Sequence, residues 1–379
     1  MPIKDKVVSW YIKNYLIPRA QIFNQPGFVI FRISGKTNIY SRQFIMPESF
    51  YSDLERMIVA KMGKKGKELL YHAGKKFGWR FATVSNVMTI KDLSEQKFLA
   101  YANNLFKFIE GTYASEIKNK VDLEKNMVIF TTKNFIICEQ SGQGYFLSAG
   151  GAGGLWAKLL ENPMIEGVHP VCQGRGNSNH CKLVCSTPDI LRDYDDEVFI
   201  ETNVKNLEVD STYRSINKVM PTSFSQKSFD DLLKSNIFIY KKGIIKKEHE
   251  RFFVVETSSM YLIEKEFQKN RKALDILYKS SINTGRNMAA SFSLSSTMAL
   301  MDLLTAFGWG DVLVENKSGK IRIIMKYFPW TRFAKDIKFI AMRGLIEGML
   351  LEILKKKIHL KLSDKKTEAG GISLIFISD

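Results

Sequence analysis

The chain has 379 residues, 45% hydrophobic and 25% charged; this exceeds one small domain, supplies apolar side chains for two cores and excludes a largely disordered protein. Lys and Arg number 56 against 39 Asp and Glu, a formal charge of +17; the surplus is scattered over 61–76, 241–247, 269–272 and 355–366, so it reads first as solvated faces and second as attraction to nucleic acid or acidic lipid. No run of about 18 apolar residues occurs, Val7–Ile12 is too short for a signal-peptide core, and four Cys make no disulfide framework, which together predict a cytoplasmic protein without a transmembrane segment.

In chain order, FVIFRISG and RQFIMPESF within 28–50 read as two short strands before a helix containing LLYHAGKKFGWRFA at 69–82. An amphipathic helix, LAYANNLFKFIEG at 99–111, ends at Gly111, where a missing side chain permits a left-handed cap. A hairpin follows, Ile117–Val121 and Met127–Thr132 about a turn at Asp122–Asn126, and then an apolar strand, NFIIC, ending at Cys138. The next helix, GGAGGLWAKLL, carries Gly150 and Gly154. Each Gly inside a helix costs roughly 1 kcal/mol relative to Ala, so the pair predicts close approach of another backbone or of a ligand. Trp156 stands two residues beyond, and with Gly150 and Gly154 it forms the candidate ligand-binding set; core filling is the alternative for the indole. Strands Gly167–Val171 and Cys181–Cys185 close this half, and the polar stretch 188–230 reads as linker and extension.

The same features recur in the same order. IFIYKKG and RFFVVETSSM within 237–260 match the first strands, and ILYKSSINTGRNMA at 276–289 matches 69–82, with Tyr71 and Tyr278 each followed seven residues later by Gly. MALMDLLTAFGWG at 298–310 reads as a helix ending at Gly; a hairpin spans Asp311–Glu315 and Lys320–Tyr327. RGLIEGMLLEIL repeats the glycine spacing at Gly344 and Gly348, and Ile358–Leu362 with Ile372–Ile377 closes the half. The expected fold class is α+β: two tandem modules, each an antiparallel sheet with packed helices, which can pair as a pseudo-twofold dimer. The expected domains are 1–190 and 230–379, joined by 191–229.

The most chemically loaded stretch is HPVCQGRGNSNHCKLVC at 169–185. His169 and Cys172 lie three apart, a loop with Gly174 and Gly176 follows, and Cys181 begins the next strand, so a returning loop can bring soft ligands to one ion, for which thiolate and imidazole favour zinc. Cys185 would stand about 13 Å from Cys181 along a strand, too far for the same ion, and reads as a buried core thiol; His180 reads as a loop residue. Cys138 is the remaining Cys for a fourth position. A redox-active thiol pair and plain buried Cys remain the alternatives. Enzyme motifs are missing: starting from Gly142, Gly151 or Gly174, the third glycine of a dinucleotide fingerprint falls on Leu147, Trp156 or Asn179, and no GxxxxGK[ST], HExxH or GxSxG occurs.

This order of features, from Leu-Tyr-x6-Gly through the GxxxG helix to the Cys-Gly-Cys strand-loop-strand, resembles the 4-vinyl-reductase domain. That domain shares the ligand-binding fold of nitric-oxide-sensing domains and trafficking-complex (TRAPP) subunits. The family's closing motif is Glu-x-x-Cys, a Gly-containing loop and Cys, with a further Cys upstream, and it holds zinc beside a ligand pocket. Carried over, the resemblance places the Glu on His169, the two Cys on Cys172 and Cys181, and the upstream Cys on Cys138. His for Glu keeps a good zinc ligand, whereas Cys138 needs a longer gap. In the second copy the matching positions are Ser363, Lys366 and a place near Ser373, which cannot hold the metal. The resemblance implies a non-enzymatic sensor of a small apolar or aromatic ligand with structural zinc in the first copy. The alternatives are a TRAPP-like scaffold that binds a protein partner or forms a homo-oligomer, and a basic nucleic-acid-associated regulator.

Overall fold

In the computed structural model of the chain, the described residues are 7, 10–32, 40–138, 145–175, 178–201, 203, 207, 216, 218–241, 244–330, 337–369 and 371–379. After a π-helical turn, Ile12–Leu16, and α1 (Ile17–Ala20) come β1 (Gln21–Gln25), β2 (Phe28–Arg32) and β3 (Tyr40–Pro47), then α2 (Glu48–Val84) and α3 (Glu95–Thr112). The hairpin β4 (Glu116–Asp122) and β5 (Met127–Lys133), helix α4 (Tyr145–Leu160) and strands β6 (Glu166–Val171) and β7 (Cys181–Ser186) follow. Short helices α5 (Pro188–Leu191) and α6 (Phe229–Lys234) lead to β8 (Ile239–Lys241), β9 (Ile244–Lys247) and β10 (Glu250–Glu256). The chain then forms α7 (Ser258–Phe267), α8 (Arg271–Ser291), α9 (Thr297–Ala306), β11 (Asp311–Lys317), β12 (Lys320–Phe328), α10 (Ile340–Leu354), β13 (Leu360–Glu368) and β14 (Gly371–Ser378). No helix among the described residues is long and apolar enough to cross a membrane.

The residues gather into two compact units. The first comprises Met1–Ala20, Pro47–Ser211 and Ile239–Phe253, and the second Gln21–Met46, Thr212–Phe238 and Val254–Asp379. The fold class is α+β, as the sequence predicts. In the first unit the sheet order is β4-β5-β7-β6, and in the second β11-β12-β14-β13. Both are two antiparallel hairpins joined through the second strand of one and the last strand of the other, with a helix between the hairpins. The β11–β12 turn takes left-handed backbone at Ser318 (φ 52°) and Gly319 (φ 79°), the geometry that matches strand twist in a two-residue hairpin.

Glycine explains how each helix pair approaches. Against α2, a Cβ on Gly150 would overlap the Tyr71 carbonyl oxygen and one on Gly154 that of Lys75; Gly74 and Gly78 meet the backbone of α4 reciprocally. The second unit repeats this with Gly285 against Leu345 and Gly348 against Ile282, so α8 and α10 stand as α2 and α4 do. Tyr71 and Tyr278 therefore occupy corresponding helices. A second device is shared. Glu55 accepts the N–H groups of Phe146 (3.0 Å) and Leu147 (3.4 Å) at the start of α4, and Glu264 accepts those of Lys338 (3.1 Å) and Ala341 (3.2 Å) at the start of α10, so a buried carboxylate meets the exposed donors of each helix.

Two predicted helix ends shift. The helix expected over 298–310 stops at Ala306, because Gly308 turns left-handed (φ 86°) with its α-carbon against the Gln43 carbonyl, where a side chain would collide. Its counterpart runs through Gly111 to Thr112 instead of ending at Gly111. In the stretch expected as linker, Leu191, Phe199 and Leu207 are buried and Lys67 pairs with Glu197 at 3.0 Å.

Candidate metal centre

The cluster forms where the first unit's closing hairpin loses its ladder. β6 and β7 pair at Val168↔Val184 and again at Val171↔Lys182, so β6 carries one extra residue between them. This matters because side chains three apart on a regular strand point to opposite faces. The bulge at His169 and Pro170 absorbs the odd residue and lets His169 and Cys172 serve one side. Pro170, which has no N–H for a ladder, is the sequence signal for it. Cys181 opens β7 opposite Thr132 of β5.

Cys138 arrives differently from expectation. Asn134–Cys138 is a turn, not a strand. Ile136 N–H donates to the Tyr113 carbonyl (2.8 Å), Ile137 takes φ 71°, and Cys138 N–H returns to the Phe135 carbonyl (3.2 Å). Gln173 ties this turn to the hairpin: its Oε1 accepts from Asn134 N (3.1 Å) and its Nε2 donates to Asn134 Oδ1 (3.3 Å). The buried Arg251 donates to the Asn134 carbonyl at 2.7 Å.

One ligand atom each from Cys138, His169, Cys172 and Cys181 lies within 4.8 Å of the others, and all four residues are buried. The three thiols share hydrogen bonds, which hold Cys172 far below the ordinary thiol range, chiefly through donation from Cys138, and push Cys138 up through its bonds to Cys172 and Cys181. Cys181 is lowered by its bond with Cys138, but the bond with Cys172 and burial outweigh this and push it up. Three thiols in apolar surroundings cannot all ionise beside one another unless a cation joins them. Backbone N–H groups are already aimed at sulfur, Gly174 toward Cys172 and Gln173 toward Cys181 Sγ at 3.3 Å. Ser148 Oγ of α4 lies 3.2 Å from His169 Nδ1, the kind of outer partner that fixes a ligating imidazole.

Cys185 stands apart from this group, fully buried opposite Val128 and Gly167, with its thiol raised by burial and then by Glu166. His180 precedes β7 with Nδ1 2.8 Å from Ser178 Oγ. Gly142 and Gly176 lie outside the described residues. Trp156 is fully buried against Phe98 and Phe106, at ring distances of 6.0 and 6.1 Å, and its Nε1 donates to the Asn126 carbonyl at 2.8 Å. Gly150 and Gly154 have the helix contact as their reason, whatever else they touch.

Sequence reading missed a buried polar network one turn of chain from His169. Tyr71 Oη donates to Glu166 Oε2 (2.5 Å) and accepts from Gly167 N (2.9 Å). Lys75 Nζ reaches Glu166 Oε1 (2.5 Å) and the Pro163 carbonyl (3.0 Å). Burial, ahead of their mutual attraction, raises Glu166 and lowers Lys75. In the second unit Tyr278 instead hydrogen-bonds Glu347 of α10 and lies 3.2 Å from His359 Nδ1. No sequence signal pairs these carboxylates with their tyrosines, because one comes from a strand and the other from a helix.

No protein-family model and no curated protein matches the chain. Among solved structures it is similar to the phenol-responsive sensory domain of the transcription activator PoxR, crystallised with phenol, at 15% identity and a TM-score of 0.37, over 55% of this chain and 100% of that one.

Proposed function

We propose that this chain is a non-enzymatic, cytoplasmic small-molecule-binding regulatory protein whose first unit is closed by zinc on Cys138, His169, Cys172 and Cys181. The observation that carries the metal is the convergence of three thiols and an imidazole within 4.8 Å, all buried. A tetrahedral ion with Zn–S bonds near 2.3 Å needs its sulfurs about 3.8 Å apart, which the cluster accommodates. The donor set disfavours magnesium and calcium, which take oxygen ligands. Zinc would neutralise the thiolates and hold the hairpin to the Asn134–Cys138 turn.

The sensor role rests on the 4-vinyl-reductase resemblance in the order of elements over 69–185, with a small apolar or aromatic molecule as ligand. The depression of about 260 Å³ in the second unit, lined by Ile22, Gln25, Ile30, Tyr40, Lys218 and Val219, is open to solvent and smaller than the clefts that enclose small molecules, so the ligand part of the reading rests on the resemblance.

Native mass spectrometry of the full chain, with elemental analysis, tests both parts. One zinc per chain, lost in Cys172→Ser and kept in Cys185→Ser, is expected, together with a small ligand released on denaturation. Metal-free protein, or zinc lost in Cys185→Ser, refutes the site. A stable heteromer without a small ligand would replace the sensor by the TRAPP-like scaffold, and sequence-selective retention on DNA at about 200 mM salt would replace it by the nucleic-acid regulator.

A further inference from the structure

The helical run Trp10–Ala20 has two apolar sides. Ile12 and Ile17, 4% and 2% exposed, face into the first unit, where the run packs beside α3. On the other side Val7 (59%), Trp10 (63%), Tyr11 (42%) and Tyr15 (38%) are exposed. Tyr11 and Tyr15, four apart, stack on one another, and Trp10 adjoins Tyr11 in the chain. Among the described residues the strongly exposed aromatic side chains are Trp10, Tyr11 and Tyr15, all in this run; the other exposed large hydrophobics, such as Met88, Ile239 and Met298, are aliphatic and dispersed. Scattered exposed aliphatics need no explanation, but a contiguous aromatic face does.

We infer that this face is an interfacial anchor that seats Val7, Trp10, Tyr11 and Tyr15 among the headgroups of an anionic lipid bilayer. Trp and Tyr carry an apolar body with a polar tip and favour the headgroup level of membranes. The charge fits the same occupant: Met1–Ala20 contains Lys4, Lys6, Lys13 and Arg19 against Asp5, in a chain of formal charge +17. Basic residues near an anionic surface add attraction to the insertion of the aromatic face. The Arg19 guanidinium lies 3.4 Å from the Tyr15 ring centroid and Tyr11 stacks on Tyr15 at 5.0 Å. That packing takes up the faces of the Tyr15 ring and one face of Tyr11 that stacking bases would need, which favours a bilayer over a single-stranded nucleic acid.

The test uses the full chain with vesicles of phosphatidylcholine alone and of phosphatidylcholine with phosphatidylglycerol in equal parts. Of the five tryptophans, Trp156, Trp309 and Trp330 are fully buried and Trp79 is partly buried against the core, so quenching of tryptophan fluorescence by bromine on the lipid acyl chains reports on Trp10 with Trp79 as the other contributor, and the Trp10→Phe protein separates the two. The expected result is sedimentation with the anionic vesicles, bromolipid quenching, and weakening by salt. The double variant Trp10→Ala, Tyr15→Ala should lose at least about tenfold in vesicle affinity while keeping the wild-type urea midpoint. The proposal is overturned if the wild-type protein stays in solution, if it binds without quenching, or if the double variant sediments as before. It is equally overturned if the variant instead loses self-association or binding to single-stranded RNA while vesicle binding is unchanged. The quenching measurement on unmutated protein does not depend on how the variant folds.

Discussion

Replacing Gly154 by Ala adds one methyl group to α4 at its tightest passage across α2. The new Cβ would overlap the Lys75 carbonyl oxygen and lie 2.8 Å from the Lys75 carbonyl carbon and 2.9 Å from Trp79 N. All three are helix backbone and cannot rotate away. Restoring ordinary contacts of about 3.5 Å requires the helices to part by roughly 1.5 Å at this point, and a gap of even about 1 Å forfeits up to half of the attraction between the groups it separates. Overpacking of this kind costs about 3 kcal/mol, offset by about 1 kcal/mol from the better helix propensity of Ala, so a net loss near 2 kcal/mol is expected. Gly151, on the same helix, is the control: its Cβ would have the Gly74 carbonyl oxygen 3.8 Å away, and Gly151→Ala should gain up to about 1 kcal/mol. Urea unfolding read by fluorescence gives the magnitude. Amide exchange localises it, to the first unit for Gly154→Ala and to the second for Gly348→Ala, whose Cβ would overlap the Ile282 carbonyl oxygen. A Gly154→Ala protein as stable as wild type, or a Gly151→Ala protein as damaged as Gly154→Ala, would refute the backbone-contact reasoning.

Tyr71→Phe should cost about 2 kcal/mol in urea unfolding, since Glu166 and Gly167 N are left short of a buried partner, whereas Tyr278→Phe, at a partly exposed network, should cost about half as much. Backbone donation from Ser228, then its hydroxyl, holds the Asp231 carboxyl below its usual range. Because the folded value is depressed, the capping contribution is complete above the unfolded value of about 3.9 and is lost as pH falls through the folded one. The urea-midpoint advantage of wild type over Asp231→Asn should therefore shrink across that acid window, and a constant advantage would contradict the assignment. Removing metal with a chelator should raise amide exchange over 165–185 and leave 355–379 unchanged; equal rises in both hairpins would count against a metal in the first unit alone.

Features carried by local pattern were legible in the sequence. The Tyr71 and Tyr278 motifs, the two glycine-spaced helices and the four hairpin strands of each half follow from periodicity, turn residues and repetition. Gly150 and Gly154 also announced close approach, although spacing alone could not say whether backbone or ligand came near. Features set by distant contacts were not legible. Glu55 and Glu264 look like ordinary helix-surface acids until the start of a helix some 70 to 90 residues later is laid over them. The grouping of Gln21–Met46 with the second unit, and of Ile239–Phe253 with the first, leaves no mark in local hydrophobicity. The apolar run NFIIC predicts a strand ending at Cys138, whereas the turn that carries it is fixed by Gln173, Tyr113 and Arg251 from elsewhere in the chain.

The two closing hairpins differ in backbone pairing at the place where the proposed metal would act. β13 and β14 pair at eight positions, from Leu360↔Ser378 to Glu368↔Gly371, with one register shift between Leu362 and Asp364 after which pairing resumes and runs almost to the connecting turn. β6 and β7 pair at four, with a bulge at His169–Pro170 and then an excursion from Cys172 to His180 before the chain returns. Closing a longer excursion costs more chain entropy, and fewer ladder bonds are present to offset it. The soft ligands stand at that interruption: His169 in the bulge, Cys172 where the strand ends, Cys181 where the next begins, and Cys138 on the adjoining turn. An ion binding all four would supply across the gap the restraint that strand pairing supplies in the second unit, where Ser363, Lys366 and Ser373 occupy positions within the β13–β14 hairpin. The second unit's hairpin is closed by its ladder; with an ion on Cys138, His169, Cys172 and Cys181 as proposed, substituting any one of the four should affect the first closure alone.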